Sequence, residues 1–118
     1  MIMQSAKNTL GHFFLIPCLL VGLYSPWALA VTPVIEIDIE NHLFRPSEIV
    51  IPANTKVKLV INNLDPTPEE FESYELNREK VISGSRKAVI FIGPLPVGEY
   101  PFFGEFYPKT AQGKVVVE

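Results

Sequence analysis

The sequence predicts an all-β protein, a β-sandwich of about seven short strands. The clearest strand is "VIEIDIE" at residues 34–40, in which isoleucines alternate with acidic residues, as in a strand with one buried face. The chain has 11 prolines, and all except Pro17 and Pro26 lie beyond residue 30, most of them between strand-like segments. Helical periodicity is weak, and there is no internal repeat or long linker. We therefore predict one domain made of strands joined by proline and glycine turns.

The other strands are predicted from short segments rich in β-branched and aromatic residues. They are "SEIVI" (residues 47–51), "KVKLVIN" (56–62), "FESYEL" (71–76), "KAVIFI" (87–92), "EYPFFGEF" (99–106) and "GKVVVE" (113–118). The segment "IPANT" is a predicted turn, because proline fixes φ and asparagine tolerates turn geometry. "KAVIFI" is apolar on both faces, which favours a central strand. A helical turn around "NREKV" at residues 77–81 is a minor alternative to strand.

Residues 1–30 have the pattern of a secretory signal peptide. Lys7 precedes the apolar run "FFLIPCLLVGL", and "ALA" at residues 28–30 provides the small residues of a cleavage site. The apolar run is short for a membrane span, which needs about 20 residues. Pro17 before Cys18 disfavours processing as a lipoprotein. We predict cleavage after Ala30, which leaves residues 31–118 as a secreted domain that is not embedded in the membrane.

The composition of residues 31–118 excludes several classes of function. His42 is the one histidine in this segment, which has no cysteine and no methionine. The core must therefore hold the domain together without disulfides. The net charge of the whole chain is −3, and loss of Lys7 makes the rest more acidic, so nucleic acid is not an expected partner. The sequence shows no nucleophile–base pair, phosphate loop or zinc spacing that would indicate hydrolysis.

Negative charge is concentrated in "PTPEEFESYELNRE" at residues 66–79, where five residues are glutamates. Clustered carboxylates repel one another, which raises their proton affinity unless a cation binds. The segment therefore fits a metal site. It equally fits the solvated face of an edge strand, where charge prevents strand-to-strand aggregation. Neighbouring basic residues could neutralise the glutamates in that case; they are Arg78, Lys80, Arg86 and Lys87.

Two longer stretches resemble a cupredoxin-like domain. "FRPSEIVIPANTKVKLVINNLD" has Phe44 and Pro46 before a strand, a Pro-Ala-Asn-Thr turn at residues 52–55, and Asn62-Asn63 at the end of the next strand. "GPLPVGEYPFFGEFYPKTAQGKVVVE" is similar to the tyrosine-led strand, metal loop and last strand of that family. The resemblance covers essentially all of residues 34–118. It implies a cupredoxin-like Greek-key β-sandwich of about seven strands.

The copper ligands of that family do not carry over to this chain. Gly104, Tyr107 and Thr110 stand where blue-copper members have cysteine, histidine and often methionine, and Glu69 or Glu70 matches the earlier histidine. A blue-copper centre needs a thiolate and two imidazoles. Residues 31–118 supply no thiol and one imidazole, so a blue-copper electron-transfer centre is excluded.

One branch of the family is similar in more detail, the cupredoxin-like domains of bacterial periplasmic iron-uptake systems. These are the N-terminal domain of the Efe-type iron protein and the small cupredoxin of Ftr-type systems. The matching segments are "EEFESYELNREKVI", "IGPLPVGEYPFFGEF" and "PKTAQGKVVV". The resemblance implies a periplasmic protein that binds or helps to oxidise ferrous iron, with iron or copper as the metal. It implies two partners, an inner-membrane iron permease and a second periplasmic metal-binding protein.

The candidate ligands follow from this resemblance and from the fold that it implies. In that fold, the loop after "VINNLD" and the loop after "EYPFF" lie at the same end of the sandwich. We therefore expect Glu69 and Glu70 to lie near Glu105 and Tyr107. Further candidate metal ligands are Glu72, Glu75, Tyr107 and His42. Carboxylates are hard oxygen ligands, and they favour ferric over ferrous iron.

Two features leave the interpretation open. Tyr107 occupies a position where we expect a histidine in the iron-uptake branch, so the site is altered if that histidine is a ligand. His42 at a strand end and Tyr107 before Pro108 also fit packed surface residues. The second hypothesis is a metal-free interaction module whose acidic end docks a basic partner. A copper chaperone is disfavoured, because residues 31–118 lack methionine and cysteine.

Overall fold

The computed structural model describes residues 31–118, which form nine β-strands in two sheets. The strands are β1 (Val34–Glu40), β2 (Leu43–Arg45), β3 (Glu48–Ile51), β4 (Val57–Asn63), β5 (Glu69–Ser73), β6 (Arg78–Ile82), β7 (Lys87–Ile92), β8 (Gly98–Gly104) and β9 (Gln112–Val117). The all-β prediction is confirmed, although the strands are shorter and more numerous than expected. The predicted signal peptide lies outside the described residues. None of residues 31–118 belongs to a helix that is long and apolar enough to cross a membrane.

The two sheets contain four and five strands. Strand order is β2-β1-β4-β7 in the first sheet and β3-β9-β8-β5-β6 in the second. Two pairings are parallel, β1 with β4 and β3 with β9, and the other pairings are antiparallel. The chain crosses between the sheets several times. As a result, β5, which carries part of the acidic segment, pairs with β8, which precedes the last loop.

The core lies between the two sheets and follows the alternation seen in the sequence. Ile37 and Ile39 are fully buried, whereas the acidic residues of β1 face outward. Three phenylalanines fill the centre: the rings of Phe71 and Phe102 stack at 4.9 Å, and Phe44 meets both edge-on, at 6.1 Å and 5.0 Å. Offset and edge-to-face contacts of this kind are the preferred aromatic arrangements. These ring contacts therefore pack β2, β5 and β8 against one another in the core.

Two secondary-structure predictions were wrong. The segment "NREKV" contributes to β6 and is not helical, because residues 74–77 form a turn that folds β6 back onto β5. Ser73 closes this turn: its hydroxyl accepts the N–H of Leu76 (3.1 Å) and donates to the carbonyl of Pro101 (2.6 Å). The predicted strand "FESYEL" consequently ends at Ser73.

Strand β7 lies at the edge of its sheet and is not the central strand that its apolar sequence favours. Ile90 and Ile92 face the core, and Val89 and Phe91 are exposed on the other face. The exposed ring is partly covered by Lys56, whose ammonium lies 4.6 Å from its centroid. The lysine side chain covers part of the outer face of β7, where a central strand would be covered by a second layer of packed residues.

Three connections meet at one end of the sandwich: the β1–β2 turn, the β4–β5 loop and the β8–β9 loop. Asn41 and His42 form the turn with φ of 54° and 58°. The Asp65 carboxylate accepts both of their backbone N–H groups, at 2.8 Å and 2.9 Å. The Thr110 hydroxyl donates to the carbonyl of His42 at 2.6 Å. The loops that the sequence placed together therefore do meet.

Candidate metal site

Glu69, the first residue of β5, faces the interior. Its side chain alternates with that of Glu70 and lies on the same face as the core residue Phe71, so it is 1% exposed. Oε1 accepts two backbone N–H groups, from Glu70 at 2.8 Å and from Phe106 at 2.9 Å. Oε2 is buried and has no hydrogen-bond partner among the described residues. The Glu69 carboxyl is thus an internal anchor for the start of the β8–β9 loop.

The outward-facing carboxylates of the β5–β6 hairpin form a cluster. The carboxylates of Glu70, Glu72 and Glu79 can each offer one oxygen, and these oxygens lie within 4.8 Å of one another. Glu72 and Glu79 are direct partners across the hairpin, and Glu70 lies two residues along β5 on the same face. We call these three residues the outer cluster. Its spacing is that of oxygens around a hard cation.

The electrostatics of the outer cluster are unfavourable without a cation. The ion pairs within residues 31–118 involve other groups, so no described basic residue forms an ion pair with the three carboxylates. The pKa of the Glu70 carboxyl is raised by partial burial, by a hydrogen bond with Glu79 and by the charges of Glu79, Glu72 and Glu105. Glu70 therefore holds a proton more readily than an isolated glutamate does, and a bound cation would relieve the same repulsion.

Glu105 approaches the outer cluster from β8. Its backbone N–H donates to the carbonyl of Glu70 at 2.9 Å, and its charge contributes to the raised pKa of Glu70. The predicted proximity of Glu70 and Glu105 is therefore present in the structure. Glu75 lies apart, exposed in the turn at residues 74–77.

His42 and Tyr107 form a separate group. Their rings stack with centroids 3.5 Å apart and planes inclined by 12°. His42 Nδ1 lies 3.4 Å from Oδ2 of Asp65. The structure thus divides the predicted ligands among four places: the interior (Glu69), the outer face of the sheet (Glu70 and Glu72, beside Glu105), the exposed turn (Glu75) and this stacked pair.

Glu79 is the member of the outer cluster that sequence reasoning did not place among the ligands. A turn at residues 74–77 sets Glu72 opposite Glu79, but "FESYEL" had been predicted as continuous strand. The signal that could have found it is the tetrapeptide "YELN", because asparagine adopts positive φ in turns, and Asn77 does so here at 51°.

Comparison with known proteins identifies the family to which this chain belongs. The model of the cupredoxin-like domain family matches residues 13–117. The chain therefore belongs to the cupredoxin-like domain family, and the predicted cupredoxin-like Greek-key β-sandwich is confirmed.

Particular relatives agree with this assignment. The chain is 42% identical over 83 residues to an uncharacterized protein of Rickettsia prowazekii (strain Madrid E), in a match that covers 70% of this chain and 66% of the relative. The metal-binding domain of the Cu(I)-exporting P-type ATPase CopA of Streptococcus pneumoniae D39, solved with Cu(I), is similar with a TM-score of 0.64, 20% identity and coverage of 72% and 84%.

Two further solved structures are similar in fold. Amicyanin from Paracoccus versutus has a TM-score of 0.57 and 21% identity, with coverage of 75% of this chain and 83% of that one. Auracyanin A from Chloroflexus aurantiacus, described as a blue copper protein, has a TM-score of 0.61 and 16% identity, with coverage of 72% and 98%. At these identities the likeness concerns the fold alone.

The residues present do not fit a blue-copper centre. His42 is the one imidazole among residues 31–118, and no thiol is available there. The oxygen-rich outer cluster is instead suited to hard cations. Any metal chemistry of residues 31–118 must therefore differ from thiolate-based electron transfer.

Proposed function

We propose that this protein is a periplasmic metal-binding accessory protein of ferrous iron uptake, which binds an iron or copper ion at the outer cluster. The observation that carries the proposal is the convergence of three carboxylates within 4.8 Å on one sheet face. Directly opposed like charges destabilise a hairpin, and no described basic residue forms an ion pair with them here. A metal ion bound between the carboxylates would offset this repulsion.

The donor set suggests which oxidation state is held. Carboxylate oxygens favour ferric over ferrous iron, because the harder ion gains more from hard anionic ligands. A ferrous ion bound here would therefore be easier to oxidise by one electron. In this proposal, the second periplasmic metal-binding protein accepts that electron, and the cluster of this chain retains the iron.

The proposed partners are supported by one structural neighbour and by the resemblance to iron-uptake cupredoxins. The Streptococcus pneumoniae neighbour is the metal-binding domain of a Cu(I)-exporting P-type ATPase. By analogy, we propose that this chain works beside an inner-membrane iron permease. The secretory pattern of residues 1–30 supports a periplasmic location.

The test is a calorimetric titration of the purified protein with Fe²⁺ under nitrogen, then with Cu²⁺ and Mn²⁺. We expect one ion per chain and a rise in melting temperature, as ligand linkage requires. The double substitution Glu72→Gln/Glu79→Gln should weaken binding at least about tenfold, or 1.4 kcal/mol. Glu36→Gln/Glu40→Gln on β1 is the matched control, with the same loss of charge away from the cluster. If the Glu72→Gln/Glu79→Gln variant bound the ion as tightly as the Glu36→Gln/Glu40→Gln control, the proposal would be contradicted.

A metal-free interaction module is the second candidate, and the aromatic residues beside the outer cluster favour it. Tyr74 is 73% exposed, and its ring lies 5.6 Å from that of Phe103, the partner of Glu72 on β8. Exposed aromatics next to carboxylates suit a basic partner. Partner capture that survives chelation and weakens with salt would support this candidate over the metal site.

A further inference from the structure

The space beside Gly104, at the end of β8, is already filled. A Cβ atom at position 104 would lie 2.5 Å from Cδ and 2.6 Å from Oε2 of Glu69, and 2.6 Å from Cβ of Ala111. Contacts this short are not tolerated between carbon atoms. The Glu69 carboxyl therefore occupies the place into which any side chain at position 104 would project.

The same carboxyl joins β5 to the β8–β9 loop. Its Oε1 accepts the N–H of Phe106, and the N–H of the preceding residue, Glu105, donates to the carbonyl of Glu70. Gly104 is itself held to Ala111 by an N–H to carbonyl bond of 2.8 Å. These bonds hold the segment that carries Glu105 against Glu70, and the charge of Glu105 contributes to the raised pKa of Glu70.

Glu69 and the outer cluster lie on opposite faces of β5. Adjacent residues of a strand point to opposite faces, so the Glu69 carboxyl is buried below the sheet while Glu70 and Glu72 lie on its outer surface. Oε1 is already occupied by two N–H groups, and Oε2 faces Gly104 and Ala111. A cation held by the outer cluster is therefore out of reach of Glu69.

We infer that Glu69 is a positioning residue: its carboxyl closes the interior position below Gly104 and holds Glu105 beside Glu70, so that cations bind on the outer face of the sheet alone. This inference rests on the proposed function for its metal-binding part. Its structural part, the exclusion of a side chain at position 104 by Glu69, is independent of any metal.

The first test separates a ligand from a positioning residue by titration with Mn²⁺. Glu69→Gln keeps the Oε1 acceptor and the shape of the side chain, so its Kd should stay within about threefold of the wild type, whereas loss of a direct ligand costs about tenfold or more. Glu69→Ala releases Phe106 and should raise the Kd about tenfold. In a Glu105→Gln background, Glu69→Ala should leave the Kd unchanged, because Glu69 acts through Glu105. A tenfold loss in Glu69→Gln, or an undiminished effect without Glu105, would overturn the inference.

The second test needs no metal. Gly104→Ala should lower the melting temperature by more than about 5 °C in the wild type, because the added methyl group meets the Glu69 carboxyl. In a Glu69→Ala background, the drop should be smaller but still present, because Cβ of Ala111 remains 2.6 Å from the added methyl group. Equal drops in both backgrounds would show that Glu69 does not fill the site. If the wild type binds no cation but this coupling is present, the proposed function fails while the closed interior position stands.

Discussion

His42 and Tyr107 stack face to face, with ring centroids 3.5 Å apart, and so join the β1–β2 turn to the β8–β9 loop. The sequence offered both residues as metal ligands. In the structure their rings contact each other, and the His42 ring lies against the carboxylate that organises its own turn. The pair therefore contributes packing at the end of the sandwich, apart from the outer cluster.

Truncating either ring should destabilise the protein without weakening metal binding. We expect His42→Ala and Tyr107→Ala to share a coupling energy of about 0.5–1.5 kcal/mol, the range of stacked ring pairs. Urea unfolding of the two single variants and the double variant measures this coupling. Tyr74→Ala, which removes an exposed ring, is the control and should change stability little. Additive losses would show that the stack contributes nothing.

Asp65 should be among the most sensitive polar residues. Its side chain accepts the N–H groups of Asn41 and His42 and is mostly buried. Replacing it by alanine leaves two donors of a tight turn unpaired, which should cost about 2–3 kcal/mol in the free energy of unfolding. Asp65→Asn retains one acceptor and should lose less. Denaturant unfolding checks the order; a neutral Asp65→Ala would contradict this role.

Glu79→Gln should have opposite effects on stability and on metal affinity. It removes a like-charge pair across the hairpin, so the metal-free protein should become more stable by a few tenths of a kcal/mol. The same change removes an anionic donor, so the Kd for Mn²⁺ should rise. Thermal melts with and without Mn²⁺ measure both effects. A stability gain with unchanged affinity would identify Glu79 as a solvated edge charge.

The metal-free protein should lose stability as pH rises through the pKa of Glu70. That pKa is raised in the folded state, so between the ordinary glutamate value of about 4.3 and the raised value the folded protein binds more protons than the unfolded chain. Stability is therefore higher at the acidic side of this window. Glu70→Gln should flatten this dependence, and the exposed turn residue Glu75, changed to Gln, should not. Chemical denaturation at several pH values provides the measurement.

The fold could be predicted from the sequence where alternation was clear. The isoleucines of β1 faced the core as predicted, because a period of two is enforced once one face of a strand is buried. The position of β7 could not be predicted. An apolar strand has the same sequence pattern whether its outer face is covered by a second layer of packed residues or only by a lysine such as Lys56.

The candidate site could be predicted only in part. The charge of residues 66–79 and the approach of Glu105 to Glu70 were visible in the sequence pattern and the family resemblance. The opposition of Glu72 and Glu79 was not, because it depends on the length of a turn. The inward direction of Glu69 depends on register, which a shift of one residue reverses.

Arg78 has a consequence for the behaviour of the protein in concentrated solution. Its Nε donates to the carbonyl of Phe91 at 2.8 Å, on the side of β7 that faces away from β4. In the part of the chain that the structure describes, β7 pairs with β4 alone, so its outer edge could template the addition of a foreign strand. An incoming strand would have to displace the guanidinium first. By occupying one carbonyl of this edge, Arg78 disfavours the addition of a foreign strand to β7.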